Sequence, residues 1–254
     1  MEKMRQNAEN KESNIVLALD LPFERPESRE ILYKKAESIL EAAHPYICAV
    51  KINHHLVLPL GLFEGVENLV KKAHEKGLVT IMDCKVNDIG STNQIIAEYY
   101  YAAGFDALIA NPFVGWEDGL KPVFEVARKM RRGVILLVYM SHKGAGEGYG
   151  QIVFDTETRE KTPQYIIFAR KALKWGADGV VVGATHPEKI REVREAVEGK
   201  IPIYSPGVGF QGGEIEAALK AGASYVIVGR TITLSENPAQ SAARVRDAVK
   251  TLGI

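Results

Sequence analysis

The sequence has little of several features that would place it in a specialised class. Among its 254 residues are only two cysteines, Cys48 and Cys84, and its 32 acidic and 32 basic residues leave no formal net charge. Two cysteines give no disulfide framework, and a neutral chain gives no support for a nucleic-acid or anionic-membrane partner. No apolar run approaches the ~20 residues of a membrane-spanning helix. The polar N-terminus also lacks the apolar region of a signal peptide. We therefore expect a cytoplasmic protein with reduced cysteines and neither a nucleic-acid nor a membrane partner.

What the sequence does contain is a repeated alternation of short apolar runs and amphipathic helical patterns. The runs predict eight strands, at 15–19, 47–52, 78–82, 107–110, 134–138, 180–182, 201–204 and 225–228. The helices are predicted at 27–43, 62–76, 92–103, 117–131, 164–175, 187–198, 213–221 and 239–252. Near-continuous apolar strands indicate a parallel sheet buried on both faces. Eight strand–helix units predict an α/β fold, a single-domain (β/α)8 TIM barrel. A doubly wound open sheet is the alternative, but no G-x-G-x-x-G motif follows the first run.

Two segments lie outside this regular pattern. Residues 1–13 precede the first strand, and we expect them to form an extra helix outside a barrel of residues 14–254. Residues 144–162 are long for a loop between a strand and a helix. This insertion is expected to contain a short hairpin, a lid or a surface excursion.

The barrel prediction locates the functional site, because such folds place their chemistry at the C-terminal ends of the strands. Polar residues end most of the predicted strands, and we expect them to converge on one pocket: Asp20, Lys51, Asp83, Lys85, Asn111, Ser141, Thr185, Gly229 and Arg230.

The last two of these strand ends suggest a phosphate site. The segments 205–213 (SPGVGFQGG) and 227–233 (IVGRTIT) follow the seventh and eighth strands, where barrels often bind phosphate. Glycines let backbone N–H groups approach an anion, and Arg230 and Gln211 add side-chain donors. The alternative is that these glycines only permit tight turns.

The third strand end, TIMDCKVNDIGSTN at 80–93, suggests a catalytic group. Asp83 and Lys85 are two residues apart, so in an extended segment they point to the same side. Lys51 ends the neighbouring strand, and an alternating row of Lys51, Asp83 and Lys85 would compensate each charge. A structural ion-pair network is the alternative, but buried ion pairs are weak stabilising devices, which favours chemistry.

This same stretch resembles the D-x-K-x-x-D-I-x-x-T signature of the orotidine 5′-phosphate decarboxylase family, at Asp83, Lys85, Asp88, Ile89 and Thr92. Other segments resemble further motifs of that family, at 17–20, 50–52, 140–145, 205–213 and 228–230. The resemblance covers residues 14–252 apart from 146–162, and it is greatest to the archaeal-type branch.

The resemblance implies decarboxylation of orotidine 5′-monophosphate (OMP) to uridine 5′-monophosphate (UMP), the last step of de novo UMP synthesis, without cofactor or metal. It implies that Lys85 is the cation facing C6 and its proton donor, with Asp83 beside the substrate carboxylate and Lys51 orienting Asp83. In the family Asp88 and Thr92 come from the neighbouring subunit of a homodimer.

The resemblance also implies contacts for the rest of the substrate. Asp20 and Lys51 would meet the ribose hydroxyls, and Ser141 the pyrimidine edge. Gln211, Gly212, Gly229 and Arg230 would hold the phosphate. Ile89, Val182 and Pro206 would form an apolar wall beside the departing CO2, or else belong only to the barrel core.

A rival group within the superfamily shares the D-x-K-x-x-D motif, namely the magnesium-dependent sugar-phosphate decarboxylases and hexulose-phosphate synthases. Those proteins place an acidic residue near the end of the second strand. This chain has Lys51 there, and a cation would repel Mg²⁺. The chain also departs from the decarboxylase pattern at 53–55 (Asn-His-His) and 111–115, and we expect neither segment to take part in the chemistry.

Overall fold

The computed structural model describes residues 2–23, 28–207, 209 and 213–252, and within them eight parallel strands close into a barrel. In spatial order these strands are β1 Ile15–Ala18, β2 Ala49–Asn53, β3 Val79–Val86, β4 Ala107–Ala110, β5 Gly133–Tyr139, β8 Gly179–Val182, β9 Ile203–Pro206 and β10 Tyr225–Val228. Two further strands, β6 Ile152–Asp155 and β7 Glu160–Pro163, form an antiparallel hairpin. The predicted (β/α)8 barrel is therefore confirmed.

Helices surround the barrel close to the positions that the amphipathic patterns predict. Those described are α1 Glu2–Lys11, α2 Arg29–Ala43, α3 His54–Leu60, α4 Glu67–Glu75, α5 Gly90–Ala102, α6 Lys121–Met130, α7 Ala145–Gly148, α8 Gln164–Trp175, α9 Pro187–Ala196, α10 Gly213–Lys220, α11 Arg230–Thr233 and α12 Pro238–Thr251. Local signals explain several boundaries. Ser28 caps α2 by accepting a hydrogen bond from the Ile31 N–H, and α8 ends at Gly176, whose φ of 74° is left-handed. None of the helices in the residues that the structure describes is long and apolar enough to cross a membrane.

The third strand differs from its prediction in a way that affects the site. An end at Met82 was predicted, but β3 continues to Val86 and includes the charged residues. Its pairing with β4 shifts register between Met82 and Val86, and Lys85 has a φ of +48°. A bulge of this kind lets a strand continue while it redirects one side chain, so the apolar run alone underestimates the strand.

The N-terminal extension forms α1, which lies against the N-terminal ends of β2, β3 and β4. The Asn7 amide donates to the Cys48 carbonyl at 2.8 Å, and the Lys3 ammonium lies 2.5 Å from the Asp106 carboxylate. Met4 is buried against the barrel. The helix therefore covers the end of the barrel opposite the predicted site.

The insertion at 144–162 contains α7 and most of the β6–β7 hairpin. Of the three forms considered for it, the structure has the hairpin. One face of this hairpin is buried through Asp155 and Thr162, while Ile152 and Phe154 on the other face are exposed.

Candidate active site

A cavity of about 980 Å³ opens at the C-terminal ends of the barrel strands. This volume suits a small ligand. Eight of the residues predicted from the sequence line it together: Asp20, Lys51, Asp83, Lys85, Ser141, Pro206, Gly229 and Arg230. The parallel strands produce this convergence, since all eight of their C-terminal ends meet at one rim.

Four charged side chains form a continuous row on one wall of the cavity. The Lys51 ammonium lies 3.2 Å from an Asp20 oxygen and 2.8 Å from Asp83 Oδ2. The other oxygen of Asp83, Oδ1, is 2.6 Å from the Lys85 ammonium. Charges alternate along the row, so each carboxylate is next to at least one cation.

Burial and pairing act in opposite directions on the two central groups. Burial by itself would lower the pKa of Lys51, but the carboxylates of Asp83 and Asp20 outweigh it and the pKa is raised. Burial would likewise raise the pKa of Asp83, but the ammonium groups of Lys51 and Lys85 outweigh it and the pKa is lowered. Both groups are therefore held charged at neutral pH.

Lys85 differs from Lys51 in exposure and in backbone conformation. Its side chain is 37% exposed whereas that of Lys51 is 5% exposed, so the Lys85 ammonium is open to the cavity. A φ above zero is uncommon outside glycine and costs free energy. The β3 bulge imposes it here, and the result is a cation anchored at Asp83 and available to a ligand.

Ser141 is held where three loops meet. The Thr185 hydroxyl donates to the Ser141 carbonyl at 3.0 Å. A Cβ on Gly183 would lie 2.6 Å from Ser141 Cα, so only glycine fits there. Gly207, with a φ of +94°, lies against the other side of Ser141. The loop after β5 is thus packed between the loops after β8 and β9.

After β10, the strand that pairs with β1, Gly229 and Arg230 line the cavity at the start of α11. Gln211 and Gly212, also predicted to hold phosphate, lie outside the described residues. Glu214, which the sequence analysis did not name, also lines the cavity and accepts a 2.7 Å hydrogen bond from the Gly209 N–H.

Six of the predicted residues in the described part of the chain do not line this cavity. Asn111 and Thr185 end their strands as expected, but their side chains donate instead to the Tyr149 hydroxyl and the Ser141 carbonyl. Asp88, Ile89 and Thr92 are exposed, Ile89 by 63%. Val182 is fully buried, and its neighbour Val181 lines the cavity instead. Successive side chains of a strand point to opposite faces, so Val182 matches the barrel-core alternative and Val181 takes the position that faces the cavity. The apolar lining consists mainly of Ile109, Leu137, Val181, Pro206 and Ile227.

His55 lines the cavity although the sequence analysis placed residues 53–55 outside the chemistry. It lies in the first turn of α3, where the Asn53 side chain accepts its N–H at 2.8 Å. Asn53 pairs in register with Asp83 on β3. Because His55 lies in a helix, strand alternation does not place it; the signal that could have found it is its position just after the second predicted strand, at the end of the barrel where the site lies.

The fold and this rim of charged and glycine-rich loops define a barrel enzyme whose site lies at the C-terminal ends of its strands. Residues 13–245 match the Orotidine 5′-phosphate decarboxylase / HUMPS family. The orotidine 5′-phosphate decarboxylase of Pyrococcus furiosus is 38% identical over 236 residues, covering 93% of this chain and 97% of the relative.

Solved structures agree with this result. The orotidine 5′-monophosphate decarboxylase of Methanocaldococcus jannaschii, complexed with the inhibitor BMP, is similar with a TM-score of 0.77 and 32% identity over 93% of this chain and 98% of that one. The Pyrococcus horikoshii orotidine 5′-phosphate decarboxylase gives a TM-score of 0.76 and 33% identity, over 93% and 99%. The chain belongs to the orotidine 5′-phosphate decarboxylase / HUMPS family.

Proposed function

We propose that this protein decarboxylates OMP to UMP and CO2 as the last step of de novo UMP synthesis, and that Lys85 supplies the essential cation. The observation that supports it most directly is the row Asp20–Lys51–Asp83–Lys85, with its last cation open to the cavity. The decarboxylases of the family among the relatives support the same reaction.

The row suits the chemistry because loss of CO2 leaves an electron pair at C6 of the pyrimidine. That pair lies in the ring plane, so the π-system does not delocalise it. Stabilisation therefore comes from placed charge. The C6–carboxylate bond breaks, the pair remains on C6, and the Lys85 ammonium transfers a proton to it as general acid.

Asp83 acts on the group that leaves. Two like charges about 4 Å apart repel by about 4 kcal/mol at an effective dielectric of about 20. Repulsion between Asp83 and the substrate carboxylate would vanish as that carboxylate becomes neutral CO2. Asp83 also anchors Lys85 at 2.6 Å, so it contributes through both position and charge.

The remaining cavity residues are assigned to the rest of the nucleotide. Asp20 and Lys51 meet the ribose hydroxyls, and Ser141 meets the pyrimidine edge. Gly229 and Arg230 bind the phosphate, together with Gln211 and Gly212 in the segment outside the described residues. The wall beside the departing CO2 contains Pro206 and Val181.

The alternative is a magnesium-dependent sugar-phosphate decarboxylase or hexulose-phosphate synthase, and this site does not fit Mg²⁺. The Lys51 ammonium lies between the carboxylates of Asp20 and Asp83, at 3.2 and 2.8 Å. A divalent cation would need that position and those oxygens. In the part of the chain that the structure describes, no group of three or more His, Cys, Asp or Glu is placed to hold a metal.

A homodimer with shared sites is part of the proposal. Asp88 and Thr92 are exposed, and so are apolar side chains of α3, of α5 and of the π-helical turn Leu62–Val66 before α4: Leu58, Phe63, Ile95 and Tyr99. The Phe63 and Tyr99 rings contact edge to face, with centroids 6.1 Å apart. Exposed apolar side chains grouped in this way are typical of a protein interface. In the proposed dimer, a second copy binds this surface and contributes its Asp88 and Thr92 to the cavity.

We also propose a cytoplasmic location, because both cysteines are free thiols. Burial raises the pKa of Cys48, and it raises the pKa of Cys84 to about 12. Neither thiol ionises near neutral pH, so both act as packing groups.

The test of the activity follows the ultraviolet absorbance of OMP with EDTA present. We expect the wild type to convert OMP and Lys85→Ala to lose turnover while still binding UMP. Lys34→Ala, which removes an exposed ammonium paired with Glu30 on α2, is the matched control and should behave as wild type. Unchanged absorbance with wild type, or activity abolished by EDTA, would contradict the proposal.

A further inference from the structure

The segment that carries Ser141 has few fixed points of its own. Among residues 141–150 only Ala145 and Tyr149 are buried, and four of the ten are glycines. Glycine loses more conformational freedom on folding than any other residue. The contacts of Ser141 with Thr185, Gly183 and Gly207 hold one end of this segment, and the two buried residues hold the rest.

Tyr149 provides such a point because its ring lies among aromatic side chains from three parts of the barrel. Its centroid is 5.4 Å from Phe113 after β4, 6.1 Å from Tyr139 at the end of β5, and 6.2 Å from Phe168 in α8. Its hydroxyl also accepts a hydrogen bond from the Asn111 amide at 3.4 Å. Aromatic pairs of this geometry add about 0.5–1.5 kcal/mol each beyond burial.

The backbone of Tyr149 also connects its segment to α8. Its N–H donates to the Ala145 carbonyl and its carbonyl accepts from the Tyr165 N–H at the start of α8, both at 2.9 Å. The next residue, Gly150, passes so close to Gly146 that a Cβ there would lie 2.8 Å from the Gly146 carbonyl oxygen. Ring and backbone together tie α7 to α8.

The β6–β7 hairpin, which follows Tyr149 in the chain, also contacts α8. At its base the Gln164 N–H donates to the Gln151 carbonyl at 2.8 Å. Nearer its tip, Arg170 of α8 lies 3.4 Å from Asp155, which is 7% exposed. We call residues 149–163 the strap, since they run from α7 back onto α8.

We propose that Tyr149 is a positioning residue for the pyrimidine: with the strap, it selects the conformation of residues 141–148 in which Ser141 faces the cavity. This inference rests on the proposed function, because it takes the pyrimidine as the group that meets Ser141. Within the described residues, Tyr149 is not part of the cavity lining. Its effect on a ligand therefore passes through the 141–148 segment.

The test compares two ligands by titration calorimetry on the full chain. UMP uses both the Ser141 loop and the phosphate rim, whereas ribose 5-phosphate lacks the base. If Tyr149→Ala reduces the binding-competent loop conformation to about one-tenth, the Kd for UMP rises about tenfold. The Kd for ribose 5-phosphate should change by less than about twofold, since that ligand does not draw on the loop equilibrium.

Two variants control for stability and for ring packing. Tyr225→Ala removes a tyrosine that is also 8% exposed, stacked on Tyr204 near the opposite end of the barrel. It should lower Tm as Tyr149→Ala does, yet leave the ratio of the two Kd values unchanged. Tyr149→Phe keeps the ring and should retain most of the UMP affinity. If Tyr149→Ala does not fold, Tyr149→Leu replaces it with the same expected direction.

Equal weakening of both ligands, or unchanged UMP affinity in a folded Tyr149→Ala, would overturn the inference. If the wild type converts OMP and either result occurs, only the role of Tyr149 is wrong. If the wild type neither binds UMP nor converts OMP, the proposed function is wrong as well.

Discussion

Replacing Asp83 by asparagine tests the centre of the charged row. The amide keeps the size of the carboxyl group but removes the charge that lies between Lys51 and Lys85, at 2.8 and 2.6 Å. Because Asp83 is 9% exposed, solvent does little to replace that charge. The substitution thus removes the repulsion on the substrate carboxylate and loosens the anchor of Lys85.

The magnitude follows from the repulsion assigned to Asp83. Its full value of about 4 kcal/mol corresponds to about a thousandfold in rate. We therefore expect kcat of Asp83→Asn to fall about a thousandfold. If part of the effect is destabilisation of bound OMP, KM for OMP should fall as well, because the variant no longer repels the substrate carboxylate. The affinity for UMP, which has no such carboxylate, should change less.

The assay combines OMP turnover with UMP titration, and Asp20→Asn is the matched control. Asp20 also contacts the Lys51 ammonium, at 3.2 Å, but it is 32% exposed and lies at the other end of the row from Lys85. Its amide variant should mainly raise KM, with a smaller change in kcat. A folded Asp83→Asn with kcat within about tenfold of wild type would refute the reasoning, since neither repulsion nor anchoring would then matter.

Three further predictions concern the phosphate rim, the interface and the base of the barrel. Arg230→Ala should lower kcat/KM for OMP about a hundredfold, the worth of a charge-assisted hydrogen bond, with a smaller loss of kcat because phosphate is remote from C6. Mixing inactive Asp88→Ala and Lys85→Ala subunits should regenerate wild-type sites and measurable OMP turnover. Asp106→Asn should lower the free energy of unfolding at pH 7 by about 3 kcal/mol. Burial would raise the pKa of Asp106, but hydrogen bonds from His74 and other donors outweigh it and lower the pKa well below its usual value. The ionised Asp106 carboxylate therefore stabilises the fold above pH about 4. Below that pH, the difference in free energy of unfolding between wild type and Asp106→Asn should become smaller, which urea unfolding at several pH values measures.

Each of these has an outcome that contradicts it. Equal losses of kcat and kcat/KM in Arg230→Ala would show that the guanidinium acts in the chemical step. No recovery of activity in the mixed subunits, under conditions where wild-type subunits exchange, would contradict the shared site. A difference between wild type and Asp106→Asn that stays constant down to pH about 3 would contradict the lowered pKa.

The regular part of the molecule was predictable because its periodicities are local. A buried parallel strand requires an apolar run and a surface helix requires an amphipathic one, so the boundaries of α8 were predicted without error. The C-terminal end of β3 was not predicted correctly, because the bulge at Lys85 depends on pairing with β4. For Val182 the apolar run leaves both the cavity wall and the barrel core possible, because a shift of one residue reverses the facing of a strand.

The sequence by itself determined the barrel, the rim at which its polar strand ends meet, and the family. Strand ends and motif spacing are properties of the chain, and the topology of parallel strands does the rest. Only the tertiary structure decided that Lys51 joins two carboxylates, that His55 and Glu214 reach the cavity, and that Tyr149 packs among three aromatic rings. These depend on distances between residues far apart in the chain, which no local pattern encodes.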